Sequence, residues 1–370
     1  MRFTCSVPDL LNGLTVATRA LSSRTPKAIL EGVLLRAEYN SVTLTCSDGD
    51  LSIVTKFPAD VRVEGGAVLP GKLFLDVARK MPQLQTVLVE ETDKKTVVVK
   101  CPGVRMTIAA QNSEEYPALP QVNGREQIAI DKEDFKSLID RTSFAVAVND
   151  SREVLNGCLL DIRDDCATMV GMDGFRMAIA KCAAQNPNVT LSAIIHGRVL
   201  GEISKILSDG KSEEKALLQI AGTQMALIMG ETKLFSSLIS GQYISYAQIL
   251  PKNFATRARV RREAFLDAVN RVSLMAESGK TSLVKLSFGQ DRMIITANSE
   301  SGDAYEEVPI ELEGADLDIA FNVRFLTDLS HALEEEEILM SLNTPVSPCL
   351  LLPPEGDDSS YLVLPVRIGL

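Results

Sequence analysis

Histidine is almost absent: His196 and His331 are the only two in 370 residues. Imidazole is the commonest general acid or base, so an acid–base site has little to be built from, and a lone histidine opening a helix is read as a cap or a surface residue. The seven cysteines are odd in number and form no C-x-x-C pair, which fits reduced, buried thiols and argues against disulfides or a zinc site. No run approaches the 18 or more apolar residues of a membrane span. The start, "MRFTCSVPDL", lacks the apolar core of a signal peptide, which predicts a cytoplasmic protein. No strand is followed by G-x-x-x-x-G-K-[ST] or G-x-G-x-x-G, and Gly65-Gly66 is expected in a turn. Ser212 to Lys215 matches S-x-x-K without its partner motifs, so it is treated as chance. The acid pairs Asp164-Asp165 and Glu306-Glu307 are expected in turns or alternating across a strand, and Glu334 to Glu337 as a solvated helix end. With neither a catalytic constellation nor a metal loop, the chain is expected to present surfaces.

Positive charge is also short, with 38 Lys and Arg against 49 Asp and Glu, a formal charge of −11. Polyanion binding rests on basic side chains neutralising phosphates, so the balance opposes nucleic-acid binding at face value. The distribution is uneven. Residues 1–126 carry 15 basic and 14 acidic side chains, residues 127–254 carry 13 and 15, and residues 255–370 carry 10 and 20.

What is abundant is repetition. "VLPGKLFLDV" from Val68, "IIHGRVLGEI" from Ile194 and "AFNVRFLTDL" from Ala320 have one pattern. Phe74, Leu200 and Leu326 are 126 residues apart at each step. Val77, Ile203 and Leu329, then Met81, Leu207 and Leu333, hold the register, and i, i+3, i+7 makes one apolar helical stripe. Pro82 and Gly210 are expected to stop the first two copies. An upstream helix recurs, with Leu10, Phe135 and Phe265 corresponding, then Leu14, Ile139 and Val269; Ser6 with Asp9 resembles a capping box. Strand-like runs and turn signals lie between and after these helices. The unit is read as β-α-β-β-β-α-β-β-β, giving an α+β chain of three domains, 1–126, 127–254 and 255–370.

The second helix of each unit has a charged face as well. Lys72, Asp76, Arg79 becomes Arg198, Glu202, Lys205 and then Arg324, Asp328, His331, at i, i+4, i+7. One reading is a solvated face with weak ion pairs; the other is a common basic lining shared by three copies.

The segments "LPGKLFLDVARKMP" (69–82), "LNG" (155–157), "DGFRMA" (173–178), "LPKN" (250–253), "FNVRFL" (321–326) and "YLVLPVRI" (361–368) stand in an order and spacing that resemble the bacterial DNA polymerase III β subunit family, the sliding clamps, over essentially the full length. The resemblance implies three processivity-fold domains, each with two helices backed by antiparallel sheets, and a head-to-tail homodimer closing a ring around duplex DNA. It implies no catalysis, no cofactor and no membrane. Arg24, Lys72, Arg79, Arg198 and Lys205 would face the DNA without reading sequence, and Met106 and Ile108 would pack on Leu274 across the dimer. A pocket for short linear peptides of the polymerase III α subunit, the clamp loader δ subunit, other polymerases and repair proteins would involve Leu155, Gly174, Phe175, Arg176, Met177, Ile249, Asn322, Phe325, Val346, Leu362, Val363, Leu364, Pro365, Val366 and Arg367.

The chain departs from the family pattern at Ile244 and Gln248, where Pro and Arg are common, at Phe175, where His or Tyr is common, and in ending Gly369-Leu370. Two other functions compete: an enzyme with a dispersed carboxylate or metal site, which requires a cluster unique to one repeat, and a repeat-built protein-interaction scaffold that never touches DNA.

Overall fold

The computed structural model describes residues 1–22, 25, 27–83, 85–92, 95–120, 122, 127–184, 189–209, 215–278 and 282–367. Among them are six α-helices, two per repeat: α1 (Val7–Ala17), α2 (Gly71–Lys80), α3 (Lys132–Thr142), α4 (Gly197–Asp209), α5 (Arg262–Ser278) and α6 (Val323–Ala332). The repeated stripe is what buries the second helix of each pair. Phe74, Leu200, Ile203, Leu207, Leu326 and Leu329 are at most 1% exposed, and Met81 and Leu333 close their copies at 3% and 2%. Burying a Leu or Phe side chain yields about 1.5–3 kcal/mol, so these stripes hold the helices down where propensity alone leaves them marginal.

Every helix follows directly on a strand, and the junction residue decides how the orphan N–H groups are met. Ser6 Oγ accepts from the Asp9 amide at 3.1 Å and donates to its carboxylate at 2.6 Å. At the second helices, Asn322 Oδ1 accepts from the Arg324 amide at 3.0 Å and His196 Nδ1 from the Arg198 amide at 3.1 Å, whereas Pro70 caps nothing with its side chain. His196 is therefore a cap. Lys80 ends α2 two residues before Pro82, because a residue preceding proline disfavours helix; Gly210 lies outside the described residues.

Among the described residues four long strands, with the short Asp60–Val63 added in the first repeat, stand between the paired helices where three are expected. The extra one is Gly65–Pro70, Leu191–His196 or Leu317–Asn322, paired respectively with Gly32–Glu38, Gly157–Arg163 and Leu283–Phe288. Its apolar residues merge in the sequence with the approach to the helix, which hides its period of two. Gly65-Gly66 accordingly opens a strand instead of forming a turn; a Cβ at Gly66 would lie 2.9 Å from the Leu35 carbonyl oxygen.

The chain divides into two compact units, Met1–Lys132 with Lys205–Leu238, and Glu133–Ser204 with Ile239–Leu370. The first holds a five-stranded and a nine-stranded sheet, the second a continuous twelve-stranded sheet. One pairing rule serves both units. In the first, Leu51–Pro58 pairs antiparallel with Thr232–Ser237, placing Ile53 opposite Leu234. In the second, Arg176–Ala183 pairs with Ser359–Val363, placing Ala178 opposite Tyr361. Thus the third strand after a repeat's first helix takes the last long strand of the next repeat. Among the described residues two such edges remain over: residues 302–309 of Gly302–Gly314 pair on one side only, with Arg292–Ser299, and Val104–Ala109 pairs only with Thr96–Cys101.

Candidate functional site

The second unit contains the chemistry that most distinguishes one repeat from another. An Asp-Gly turn occurs in the first and second repeats with the same hydrogen bonds. Asp48 Oδ1 accepts from the amides of Asp50 and Leu51 at 3.1 and 2.8 Å, and Asp173 Oδ1 from those of Phe175 and Arg176 at 2.8 and 3.0 Å. Gly49 and Gly174 supply the left-handed backbone, φ 108° and 92°, that other residues rarely adopt. The scaffold is the same and the side chains it carries are not: Asp50-Leu51 in one copy, Phe175-Arg176 in the other.

Arg176 is 12% exposed and spends its donors inside the protein. Nε reaches Asp173 Oδ2 at 3.0 Å, Nη1 reaches Asp328 Oδ2 at 2.6 Å and Nη2 reaches the Phe144 carbonyl at 2.8 Å. Its guanidinium lies 4.8 Å from the Phe325 ring centroid and 5.4 Å from that of Phe144, within cation–π range. Phe175 stacks on Phe325 at 6.2 Å and 24° and is 62% exposed. An exposed aromatic on a rigid turn supplies contact area at little entropic cost.

A second apolar cluster contains Leu155, Met177 and Leu362 with Leu159, Val170 and Tyr243, and Ile244, Leu250 and Leu364 pack half-buried against it. Tyr243 donates to the Val170 carbonyl at 3.1 Å. The final strand ends at Val363, two residues before Pro365, and the chain runs on with Leu364 N–H donating to the Phe175 carbonyl and Val366 N–H to the Ala320 carbonyl, both at 2.8 Å. Ile249 and Val346 are exposed large apolar residues, and Arg367 is exposed.

Seven of the residues named for a pocket therefore fall into two groups. Leu155, Met177, Leu362 and Leu364 share one cluster; Phe175, Arg176 and Phe325 form the aromatic and cationic wall. Val363 belongs to neither, because strand alternation turns it with Tyr361 into the C-terminal core. Asn322 is the cap of α6, and Gly174 forms the turn. Phe144, Asp173 and Asp328 are missing from the sequence-based set. The Asp-Gly recurrence at 48 and 173 points to Asp173, whereas Phe144 carries no local signal and Asp328 is legible only as part of the charged face of the second helix, not as a partner of Arg176.

On the second helices Lys72, Arg79, Arg198, Lys205, Arg324 and His331 are exposed. Asp76 pairs with Arg79 at 3.4 Å, the weak intrahelical pair expected of a solvated face. Lys72 borders a cavity of about 340 Å³ with Leu21, Glu31 and Leu73. Arg24 lies outside the described residues, as do Ser212 and Gly369-Leu370. Leu274 on α5 is 68% exposed and Met106 half-buried, but Ile108 is 4% exposed and has little area left for a partner.

Glu334 to Glu337 are not a solvated helix end. Glu334 and Glu335 pair with Arg141 at 3.2 and 2.9 Å, and Glu337 opens a strand and pairs with Arg259 at 3.1 Å. Among the described residues no cluster of His, Cys, Asp and Glu could hold a metal ion, and no helix is long and apolar enough to cross a membrane.

Three family descriptions match in succession: DNA polymerase III beta subunit, N-terminal domain, over residues 1–120; central domain, over 129–244; and C-terminal domain, over 247–367. The chain belongs to the DNA polymerase III beta subunit family. The "Beta sliding clamp" of Staphylococcus aureus is 30% identical over 378 residues, covering 99% of each chain. The DNA polymerase sliding clamp of Bacillus subtilis superposes with a TM-score of 0.95 at 29% identity, covering 100% of both chains. A Pseudomonas aeruginosa sliding clamp bound to griselimycin superposes at 0.93 with 26% identity and the same coverage. As a member of the beta subunit family, the chain has three repeated clamp domains and is a processivity subunit without chemistry of its own.

Proposed function

We infer that this chain is a DNA sliding clamp that encircles duplex DNA and tethers the replicative polymerase for processive synthesis. One observation carries the ring: the strand-pairing rule that joins the first repeat to the second, and the second to the third, has two unused edges. Applied once more between chains, it sets residues 302–309 of one copy against Val104–Ala109 of another. Unpaired edges are templates for such addition, and a heterologous contact that closes by rotation makes a ring. Met106 stands where Leu234 and Tyr361 stand at the internal junctions; those two are buried at 1% and 0%, and Met106 is only half-buried. Leu274 offers exposed apolar area beside this contact.

In this homodimer Lys72, Arg79, Arg198, Lys205 and Arg24 face the DNA. Their contacts are weak, sequence-blind and salt-sensitive, as sliding requires, while the acidity of the third repeat keeps the rest of the surface from binding DNA tightly. Domain limits fall near residues 126 and 254. The wall of Phe175 and Phe325 with the Leu155–Met177–Leu362 cluster receives short linear peptides from the polymerase III α subunit, the clamp loader δ subunit and other polymerases and repair proteins, by apolar anchoring with few polar contacts. The protein works in the cytoplasm, without cofactor. A scaffold that never touches DNA is not favoured.

The test is retention on nicked circular DNA, loaded with cognate loader and ATP, before and after a restriction enzyme linearises the circle. Loss on linearisation is the expected result. Retention on both forms would mean ordinary affinity, and failure to load with an active loader would move the scaffold ahead.

A further inference from the structure

We propose that Asp328 is a positioning residue of the docking wall, acting through Arg176 to fix the Phe175–Phe325 pair; this rests on the reading of that wall as a peptide-docking surface. By sequence Asp328 belongs to the charged face of α6, in the place of Asp76 on α2. Asp76 pairs within its own helix, with Arg79 at 3.4 Å. On α6 the residue in Arg79's place is His331, and Asp328 instead reaches Arg176 at 2.6 Å, 152 residues away in sequence.

The internal repeat shows what this pair is not needed for. Asp48 builds the same Asp-Gly turn with Leu51 in Arg176's place, so the turn forms without an arginine. What Arg176 adds is a cation held between two rings, and one of them, Phe325, is the surface on which Phe175 stacks. Phe175 is 62% exposed, so its order depends on that stack. Without the carboxylate the guanidinium keeps Asp173, the Phe144 carbonyl and its contact with the Phe325 ring, but loses what is, among the described residues, its only ion pair to α6, the helix that carries Phe325. The wall then loosens, and a ligand must supply the ordering entropy on binding.

Griselimycin serves as the probe, titrated calorimetrically into the full-length protein and into Asp328→Asn, Asp328→Glu, Phe175→Ala and the Asp328→Asn/Phe175→Ala double variant. Asp328→Asn is expected to weaken binding roughly three- to tenfold, Asp328→Glu to recover most of that loss, and Asp328→Asn to add nothing once Phe175 is gone. Equal losses in both backgrounds, or no loss in either, overturn the positioning role. If Phe175→Ala leaves binding unchanged, the docking reading fails for this ligand, and the positioning role is then judged alone by a 4-fluorophenylalanine placed at 175. A fluorine resonance that shifts or broadens in Asp328→Asn and returns in Asp328→Glu upholds it; an unmoved resonance overturns it.

Discussion

Arg141, at the end of α3, and Glu335, just past α6, lie 2.9 Å apart and tie the second repeat to the third. Arg141 is 11% exposed and also meets Glu334 at 3.2 Å and Asp358 at 3.3 Å. With Arg176 on Asp328 and Lys181 on Asp357 at 2.5 Å, basic groups of the second repeat hold five carboxylates of the third. Part of the third repeat's acidity is thus spent on the junction.

Arg141→Met is expected to destabilise the second unit by about 1–3 kcal/mol. Removing the buried guanidinium takes the ion-pair partner from Glu334, Glu335 and Asp358; the value stays below that of a fully buried pair because Glu334 and Asp358 are well exposed. Denaturant unfolding should show this as a lower midpoint. A change under a few tenths of a kcal/mol would mean that the junction rests on apolar packing alone.

Gly171 tests packing at one atom. A Cβ there would stand 2.4 Å from the Thr142 carbonyl oxygen, and backbone cannot step aside as a side-chain tip can. Gly171→Ala should cost about 1–3 kcal/mol by overpacking, whereas Gly201→Ala on α4, with open space around it, should be neutral or slightly stabilising. Paired thermal melts of the two variants check the contrast.

These contacts divide what the sequence reveals from what it conceals. The stripes of Phe74, Leu200 and Leu326 are legible because burial on a helix is periodic and local, and the Asp-Gly turns are legible because glycine marks the left-handed backbone. The strands before α2, α4 and α6 are not, since three consecutive buried residues in each leave no alternation to read. Nor is the pairing of Asp328 with Arg176, which depends on where two distant segments meet. Phe175, Arg176 and Phe325 enter the candidate site by family likeness, and their stacking is visible only in three dimensions.

Stability should be steady near neutral pH and fall in acid, for a sign that can be worked out. Hydrogen bonds from the Arg152 side chain and amide hold the Asp150 carboxyl down to about 2. Bonds from Arg271, Lys285 and Lys181 likewise lower Glu306, Asp318 and Asp357. A carboxyl whose folded pKa is depressed stabilises the fold above its unfolded value, near 4, and that contribution is lost as pH falls through the folded value. The melting temperature is therefore expected to be flat from about pH 5 to 8 and to drop below about pH 4. Arg152→Ala should flatten the part of that drop between about pH 4 and 2, with added salt mimicking it because the pair is exposed. A melting temperature that rises on acidification would contradict the sign.

The edge of the first repeat offers the sharpest test of assembly. Met106 occupies the position that Leu234 and Tyr361 occupy at the two internal junctions, and a lysine there would have to bury its ammonium against a second chain or prevent the contact. In the isolated chain the same position is only half-buried, so Met106→Lys should leave the melting temperature of a dilute sample within a degree or two, as surface changes do. Light scattering at micromolar concentration should nevertheless report a shift from dimer toward monomer mass, with Leu274→Lys acting in the same direction. Retention on circular DNA should fall with the dimer. A Met106→Lys protein that keeps full dimer mass would mean that the unused edges at Val104–Ala109 and residues 302–309 are not where two chains meet.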